Sequence, residues 1–279
     1  MAEFLVTGAG GMLGRSWVER LGREGLPHVA AARSDLDITD DAQVANAVLP
    51  GTRFVINCAA WTDVDGAESN PEGADRVNGF AVGTLAGRCE EVGATLVHYS
   101  TDYVFAGDAT SPYPTQEARA PLNVYGQTKG HGESVLEASG ADHLLIRSSW
   151  LYAKWGKNFV MTMRDLVQSR PSLRVVDDQR GRPSSCDHIA SASLALLRNG
   201  ERGIFHVCDG GECTWFDLAS HIRDAVGSSC HIDPCTTEEF PRPAPRPAYS
   251  VLDLSKTEQV LGPTEDWRAR VTALLVEAR

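Results

Sequence analysis

The sequence predicts an α/β protein, a doubly wound parallel sheet followed by a smaller C-terminal α/β lobe, and three observations carry that prediction. An apolar N-terminal strand runs straight into a glycine-rich turn and an amphipathic helix. Strand-like and helix-like stretches then alternate to about residue 150. Beyond that the alternation loosens around a proline-rich stretch. At 279 residues the chain can bury a substantial core as one large domain or two lobes. Hydrophobic residues at 42% and charged residues at 23% are ordinary for a soluble globular protein.

Taken in order, Glu3-Phe4-Leu5-Val6 is the first strand and Thr7-Gly8-Ala9-Gly10-Gly11-Met12-Leu13-Gly14 the turn. Leu13, Trp17, Val18 and Leu21 then recur at helical spacing. Glycines at 8, 11 and 14 let the backbone approach a pyrophosphate, whose charge is met by the N–H groups of the helix start. Gly8, Gly10, Gly11, Met12, Leu13 and Gly14 are therefore candidate dinucleotide contacts on a Rossmann-type fold. The second strand, residues 28–32, ends at Arg33-Ser34, where NAD-specific proteins carry an acid. A guanidinium beside a hydroxyl suits a 2′-phosphate and favours NADPH; Asp37, or Asp35, filling the acid's role keeps NADH open.

Asp40-x-x-Gln43 caps a helix to about Leu49, and residues 54–57 form a third buried strand. Its exit, Cys58 to Asp65, falls beyond the carboxyl end of a strand, where open α/β sheets bind ligands, and small Ala59 and Ala60 let a cofactor lie flat. Asn70-Pro71 opens a long helix to about Val92, and a fourth strand at 95–99 delivers Ser100-Thr101-Asp102-Tyr103. In Val124-Tyr125-Gly126-Gln127-Thr128-Lys129 a tyrosine and a lysine share one helix face. An ammonium beside a phenol lowers its pKa from ~10, so the pair is expected to pass a proton near neutrality. Thr101, at the tip of the fourth strand, is expected to hold a substrate oxygen while Tyr125 protonates it.

A fifth strand at 143–147 leads to Ser148-Ser149-Trp150. A helix near 159–167, a strand at 173–176, a helix near 188–197 and a strand at 204–207 follow, and Thr214 caps a helix to Val226. Residues 240–247 are too proline-rich for a helix or central strand, and their arginines suit an anionic substrate. Ser255-x-x-Glu258 reads as a capping box, and a last helix starts near Asp266. Residues 1–150 with about 187–208 are expected to form the dinucleotide-binding domain, and about 151–186 with 209–279 the second lobe.

The formal charge of −11 argues against nucleic acid or an anionic membrane as partner. Without a basic start and long apolar run, or any apolar stretch long enough to span a bilayer, the expectation is a cytoplasmic protein. Seven scattered cysteines are expected to be reduced thiols. The C-x4-C spacings of Cys208 with Cys213 and Cys230 with Cys235, near His206 and His231, are wider than the usual zinc knuckle, so no metal is expected.

On these residues the chain resembles the extended short-chain dehydrogenase/reductase superfamily. Almost end to end it is similar to the dTDP-4-dehydrorhamnose reductase family, on Val55-Ile56-Asn57-Cys58-Ala59-Ala60-Trp61-Thr62-Asp63-Val64-Asp65, Ser100-Thr101-Asp102-Tyr103-Val104-Phe105, Pro121-Leu122-Asn123-Val124-Tyr125, Arg147-Ser148-Ser149-Trp150, Lys157-Asn158-Phe159, Asp178-Gln179-Arg180-Gly181 and Arg246-Pro247-Ala248-Tyr249. The resemblance implies NAD(P)H-dependent reduction of the C4 keto group of a dTDP-linked 6-deoxyhexose, the step to dTDP-L-rhamnose. It implies Thr101, Tyr125 and Lys129 as catalytic, and Tyr103, Trp150, Thr62, Asp63 and Val64 around the sugar. Asn158, Gln179 and Arg246 would contact the sugar or its phosphates. Some relatives hold magnesium at a dimer contact through a glutamate where this chain has Ser16, so neither metal nor that dimer is carried over, and the oligomeric state stays open. Met12 stands where glutamine is common.

A dehydratase or epimerase is the rival within the superfamily, and Tyr103 occupies the position where a dehydratase places a second acid. A 4-ketoreductase for another dTDP-deoxysugar, such as dihydrostreptose or an antibiotic sugar, is the nearer alternative. A non-catalytic nucleotide-binding regulatory subunit is the alternative of another class, and an intact Thr101–Tyr125–Lys129 set argues against it.

Overall fold

The computed structural model describes residues 2–277. β1 (Phe4–Thr7) leads through the glycine turn into α1 (Met12–Arg23), and β2 (His28–Ala31) follows. Asp40 accepts a hydrogen bond from the Gln43 backbone and starts α2 (Asp41–Ala47), ahead of β3 (Phe54–Asn57). A short α3 (Val64–Ser69), absent from the sequence reading, is capped by Asp63. The long helix expected from Asn70 is broken into α4 (Pro71–Asp75), a π turn at Arg76–Phe80, and α5 (Ala81–Val92). Asn70 and Pro71 do cap and open it. β4 (Thr95–Thr101) runs two residues further than expected, so Thr101 is its last residue. α6 (Val124–Ala138) and β5 (His143–Ser148) complete this half.

Short elements follow: β6 (Leu151–Tyr152), α7 (Phe159–Ser169), β7 (Ser172–Val176), β8 (Arg180–Gly181), β9 (Ser184–Ser185), α8 (Cys186–Arg198) and β10 (Gly203–His206). Then come β11 (Cys213–Thr214), α9 (Trp215–Ala225), β12 (His231–Cys235), α10 (Ser255–Leu261) and α11 (Trp267–Glu277). Thr214 caps α9 through a full capping box with Asp217. The box expected at Ser255 does not form. Ser255 is already helical and bonds to Asp253, while Glu258 turns to the Thr264 backbone.

Six strands make one parallel sheet in the order β10-β5-β4-β3-β1-β2. A parallel sheet must be covered on both faces, which is why the strands are nearly continuous apolar runs. Leu13, Trp17, Ile189 and Leu196 pack on one face; Val44, Leu85 and Leu136 pack on the other. Trp17 Nε1 donates to Tyr99 Oη at 2.6 Å, and Tyr99 donates to Ser193 at 3.0 Å, tying α1, β4 and α8 together inside the core. The chain reverses direction across the sheet between β1 and β3, and ligands of such sheets bind in the crevice at the carboxyl ends there. Smaller sheets pair β12 with β7, β11 with β8 and β6 with β9. Among the described residues no helix is long and apolar enough to cross a membrane, no group of His, Cys, Asp and Glu could hold a metal, and the cysteines are free.

Candidate active site

The glycine turn closes on itself through Gly11 N–H to Gly8 O (2.9 Å). Gly8 has φ +60°, and a Cβ there would sit 2.6 Å from Ala59 N; one on Gly14 would sit 2.3 Å from Gly8 O. Neither position admits a side chain. Gly11 caps α1 with extended backbone and no side-chain acceptor, so the N–H groups of Met12, Leu13 and Gly14 face outward without intrahelical partners. This cradle fits a diphosphate, and α1's dipole favours the charge. Gly10 is less constrained, its nearest neighbour being Ala32 Cβ at 3.8 Å. Beside it, Ala59 is half-buried and Ala60 exposed.

At the end of β2, Arg33 and Ser34 are exposed. Asp35 closes the turn by accepting from Ala32 N–H, and Asp37 is held below the usual carboxylate range by the Thr39 backbone and hydroxyl. Both acids are thus occupied locally, and the exposed Arg33 stands beside them.

Asn123 starts α6 by accepting from Gly126 N–H (2.8 Å), and Glu68 accepts from Val124 N–H (2.9 Å). A Cβ at Gly126 would fall 2.1 Å from Tyr103 O, so this glycine lets α6 lie against the β4 exit. Asn78, in the π turn, bonds to Trp61 N and O and to Thr128 Oγ1. The π turn, a local insertion of the kind that often marks functional sites, thereby fastens the 58–62 loop to α6.

Thr101 and Tyr125 face each other across this joint, and the Tyr103 and Tyr125 rings meet edge to face at 5.9 Å. Thr101 donates its only proton to Asp102 Oδ1 (2.8 Å) and accepts from Tyr103 N–H, so here it offers Tyr125 an oxygen. Buried Asp102 has its carboxyl pushed up to about 6 by loss of solvent. Lys129 is 1% exposed and donates to Tyr99 O at 2.5 Å. Burial lowers the Lys129 amine to about 8 against the charge of Glu133, which favours the ammonium. The expectation that Lys129 depresses the Tyr125 pKa is corrected. Burial, then the charge of Asp102, push the phenol up to about 12. The amine is turned toward Tyr99 O and His98, and the phenol is the better-held acid.

The remaining candidates form an outer wall. Asp65 takes Arg246 and Arg242, and Arg246 foremost holds it below the usual carboxylate range. This fastens the proline-rich segment to α3, and Arg246 also faces Tyr103. Thr62 and Asp63 are exposed, Asp63 serving as the α3 cap, and Val64 is half-buried.

Trp150 has φ +48°, the one left-handed non-glycine residue described. It stacks on Trp215 with ring centres 3.5 Å apart. Gln179 does not present a free amide: Oε1 accepts from Trp215 Nε1 (3.1 Å), and Nε2 donates to Thr237 (2.9 Å). Asn158 is likewise committed, capping α7 through Met161 N–H and donating to Ala153 O (2.8 Å). It also approaches Met12 Sδ (3.7 Å), and Trp155 Nε1 donates to Met12 O (3.2 Å), so this loop rests on the glycine turn. Trp215, Trp155 and Asn78 were missed by the sequence reading, because each lies inside an apparently ordinary helix or loop and carries no motif.

Fold and site together define a Rossmann-type α/β protein of the short-chain dehydrogenase/reductase class. The chain belongs, more particularly, to the family described as RmlD substrate binding domain, which it matches over residues 2–279. It is 41% identical to a dTDP-4-dehydrorhamnose reductase of Mycolicibacterium smegmatis, over 95% of this chain and 83% of that one. It is 39% identical to a dTDP-4-keto-6-deoxy-D-glucose reductase of Streptomyces niveus, over 97% and 95%. A solved dTDP-4-dehydrorhamnose reductase of Bacillus anthracis in complex with NADP superposes with a TM-score of 0.95 at 34% identity, covering 99% of this chain and all of that one (100%).

Proposed function

We propose that this protein reduces the C4 keto group of a dTDP-linked 6-deoxyhexose, dTDP-4-dehydro-L-rhamnose to dTDP-L-rhamnose, with NADPH. The observation that carries this is Thr101, at the end of β4, set against Tyr125 on α6 one turn before Lys129, in a chain of this family. Residues 1–150 with about 187–208 hold the dinucleotide: β10 lies in the central sheet and α8 packs with α1. Residues 151–186 and 209–279 hold the sugar nucleotide.

The α1 N–H groups and Gly8–Gly14 turn bind the diphosphate, and Arg33 with Ser34 takes the 2′-phosphate that distinguishes NADPH. When bound, the nicotinamide supplies the hydride. Tyr125 gives its proton to the oxygen of the reduced carbon. A phenol held near 12 is protonated at neutral pH and matched to an alkoxide, a much stronger base. Lys129 would hold the nicotinamide ribose, and Thr101 orients Tyr125 through its oxygen. Tyr103, Trp150 and the Asp65–Arg246 clasp enclose the sugar and exclude water. Gln179 and Asn158 act through the residues they hold.

The test is incubation with NADPH and dTDP-4-dehydro-L-rhamnose, following absorbance and identifying the product by NMR. Tyr125→Phe keeps the shape and removes the proton donor. A rate equal to wild type would overturn the assignment. The Streptomyces niveus relative favours one second reading, reduction of another dTDP-4-keto-6-deoxyhexose, which the same assay separates by substrate.

A further inference from the structure

Beneath the candidate site runs a buried polar chain that the reduction itself does not use. Thr7, ending β1, donates Oγ1–H to Asn57 Oδ1 at the end of β3 (2.7 Å). Asn57 Nδ2 meets His98 Nδ1 in β4 at 3.1 Å, and His98 Nε2 lies 3.5 Å from Lys129 Nζ. Exposure is 0% for Thr7 and 1% for Asn57, His98 and Lys129. The chain crosses three neighbouring strands below their carboxyl edge and ends on the amine of the candidate pair.

Hydrogen-bond arithmetic gives this chain two directions. Burial, with Lys129 and His143 nearby, holds the His98 pKa well below its ordinary value, so the ring is neutral, with one N–H and one bare nitrogen. With Thr7 donating to Asn57 Oδ1, the amide N–H meets a bare Nδ1, and the ring hydrogen sits on Nε2, aimed at Nζ. A free amine accepts that hydrogen; an ammonium has three donors and nothing to accept with. An ammonium needs Nε2 bare, the hydrogen on Nδ1, and the Asn57 amide turned over so that its oxygen faces His98 and its N–H faces Thr7. The charge on Lys129 and the direction of the chain are one variable.

We propose that His98, backed by Asn57 and Thr7, is a positioning residue that sets the charge state of Lys129 and so the pH range in which the Tyr125–Lys129 pair works. The proposal rests on the reading of Lys129 as catalytic. The other groups acting on the amine and the ring are Glu133 on α6, His143 on β5 and the Tyr99 carbonyl in β4, which accepts from the amine. Glu133 favours the ammonium, but its carboxylate is already shared between Arg147 and Arg119. His98 is the neutral neighbour that can change direction.

The test begins without cofactor. In protein labelled with 13Cε-lysine, the Lys129 resonance is the one absent from Lys129→Arg, and its midpoint is followed by NMR against pH. His98→Leu removes one acceptor open to the ammonium, leaving Tyr99 O, and is expected to lower the midpoint by about one unit, a tenfold change in the protonation equilibrium. His98→Gln, which can turn an oxygen to Nζ, is expected to restore it, and the alkaline limb of kcat should move in step. An unchanged midpoint in folded His98→Leu overturns the proposal. In wild type labelled with 15N-histidine, His98 is expected to change tautomer at the Lys129 midpoint, and a constant tautomer overturns the proposal without any variant. Lys129→Ala separates the two readings. If it still reduces substrate at the wild-type rate, the catalytic assignment fails; if it is inactive while the His98 variants leave the midpoint alone, only the present proposal fails.

Discussion

Replacing Gly8 with alanine tests the cradle at its tightest point. The residue has φ +60°, where a side chain costs roughly 1–2 kcal/mol. The new Cβ would lie 2.6 Å from Ala59 N and 2.8 Å from Ala59 Cα and Cys58 C, all backbone, so no side chain can swing away. Overpacking of this kind adds about 1–3 kcal/mol. The sum, about 2–5 kcal/mol, divides between fold stability and the shape of the site. A titration of NADPH fluorescence and a thermal melt read the two parts. We expect Kd to weaken about tenfold or more and Tm to fall by about 2–6 °C. Gly22→Ala, in the last turn of the same helix, is the control: nothing lies within 4 Å of its Cβ. Helix propensity predicts that it stabilises by about 0.5–1 kcal/mol and leaves Kd alone. If Gly8→Ala bound NADPH as wild type does and melted at the same temperature, the reading of the turn as a steric cradle would be refuted.

Three further perturbations address the rest of the site. Arg33→Glu is expected to cut the NADPH-over-NADH preference about tenfold or more, and an unchanged ratio of kcat/KM for the two would remove Arg33 from cofactor selection. Trp215→Ala takes the stack away from Trp150; KM for the keto-sugar should rise about threefold to tenfold, in line with about 1 kcal/mol for an aromatic pair, with kcat nearly unchanged. An unmoved KM counts against a sugar-facing role for Trp150. Asp102→Asn probes the buried carboxyl. Its folded pKa of about 6 lies above the ordinary aspartate value of 3.8, so the folded state holds a proton that the unfolded chain releases, and wild-type stability falls as pH rises through that window. The neutral variant should lack that slope and be more stable at pH 8, by at most about 3 kcal/mol; parallel urea-melt curves from pH 4 to 8 would contradict this.

The parallel sheet was legible because each strand is a short apolar run bounded by turn residues, and Gly8, Gly11 and Gly14 could be placed before any coordinates. The placing of Thr101 at a strand end and of Tyr125 and Lys129 on one helix was legible for the same reason: strand ends and helix faces are local properties. What spacing does not contain is direction in space. The π turn at Arg76–Phe80 keeps apolar residues in step with a continuous helix, and only the contacts of Asn78 with Trp61 and Thr128 disclose it. Asn158 and Gln179 are polar residues in the right neighbourhood, yet both amides are consumed by local partners. The direction of the Tyr125 shift was misread because the pairing of a phenol with an ammonium was weighed without the burial of both. A left-handed Trp150 has no sequence signal; its indole lies against Trp215 and against Gly181, where a Cβ would come within 2.7 Å of it.

Met12 occupies a position with consequences for the order of events. Its N–H belongs to the first turn of α1, the proposed diphosphate cradle, while its carbonyl and sulfur seat Trp155 and Asn158 at the head of α7. If the cofactor and the sugar bind on the two sides as proposed, and one occupant steadies this residue for the other, linkage requires that each tighten its counterpart by the same factor. Exchanging that thioether for a longer or a polar group would therefore be felt as altered cooperativity between cofactor and sugar before it was felt as a loss of either affinity.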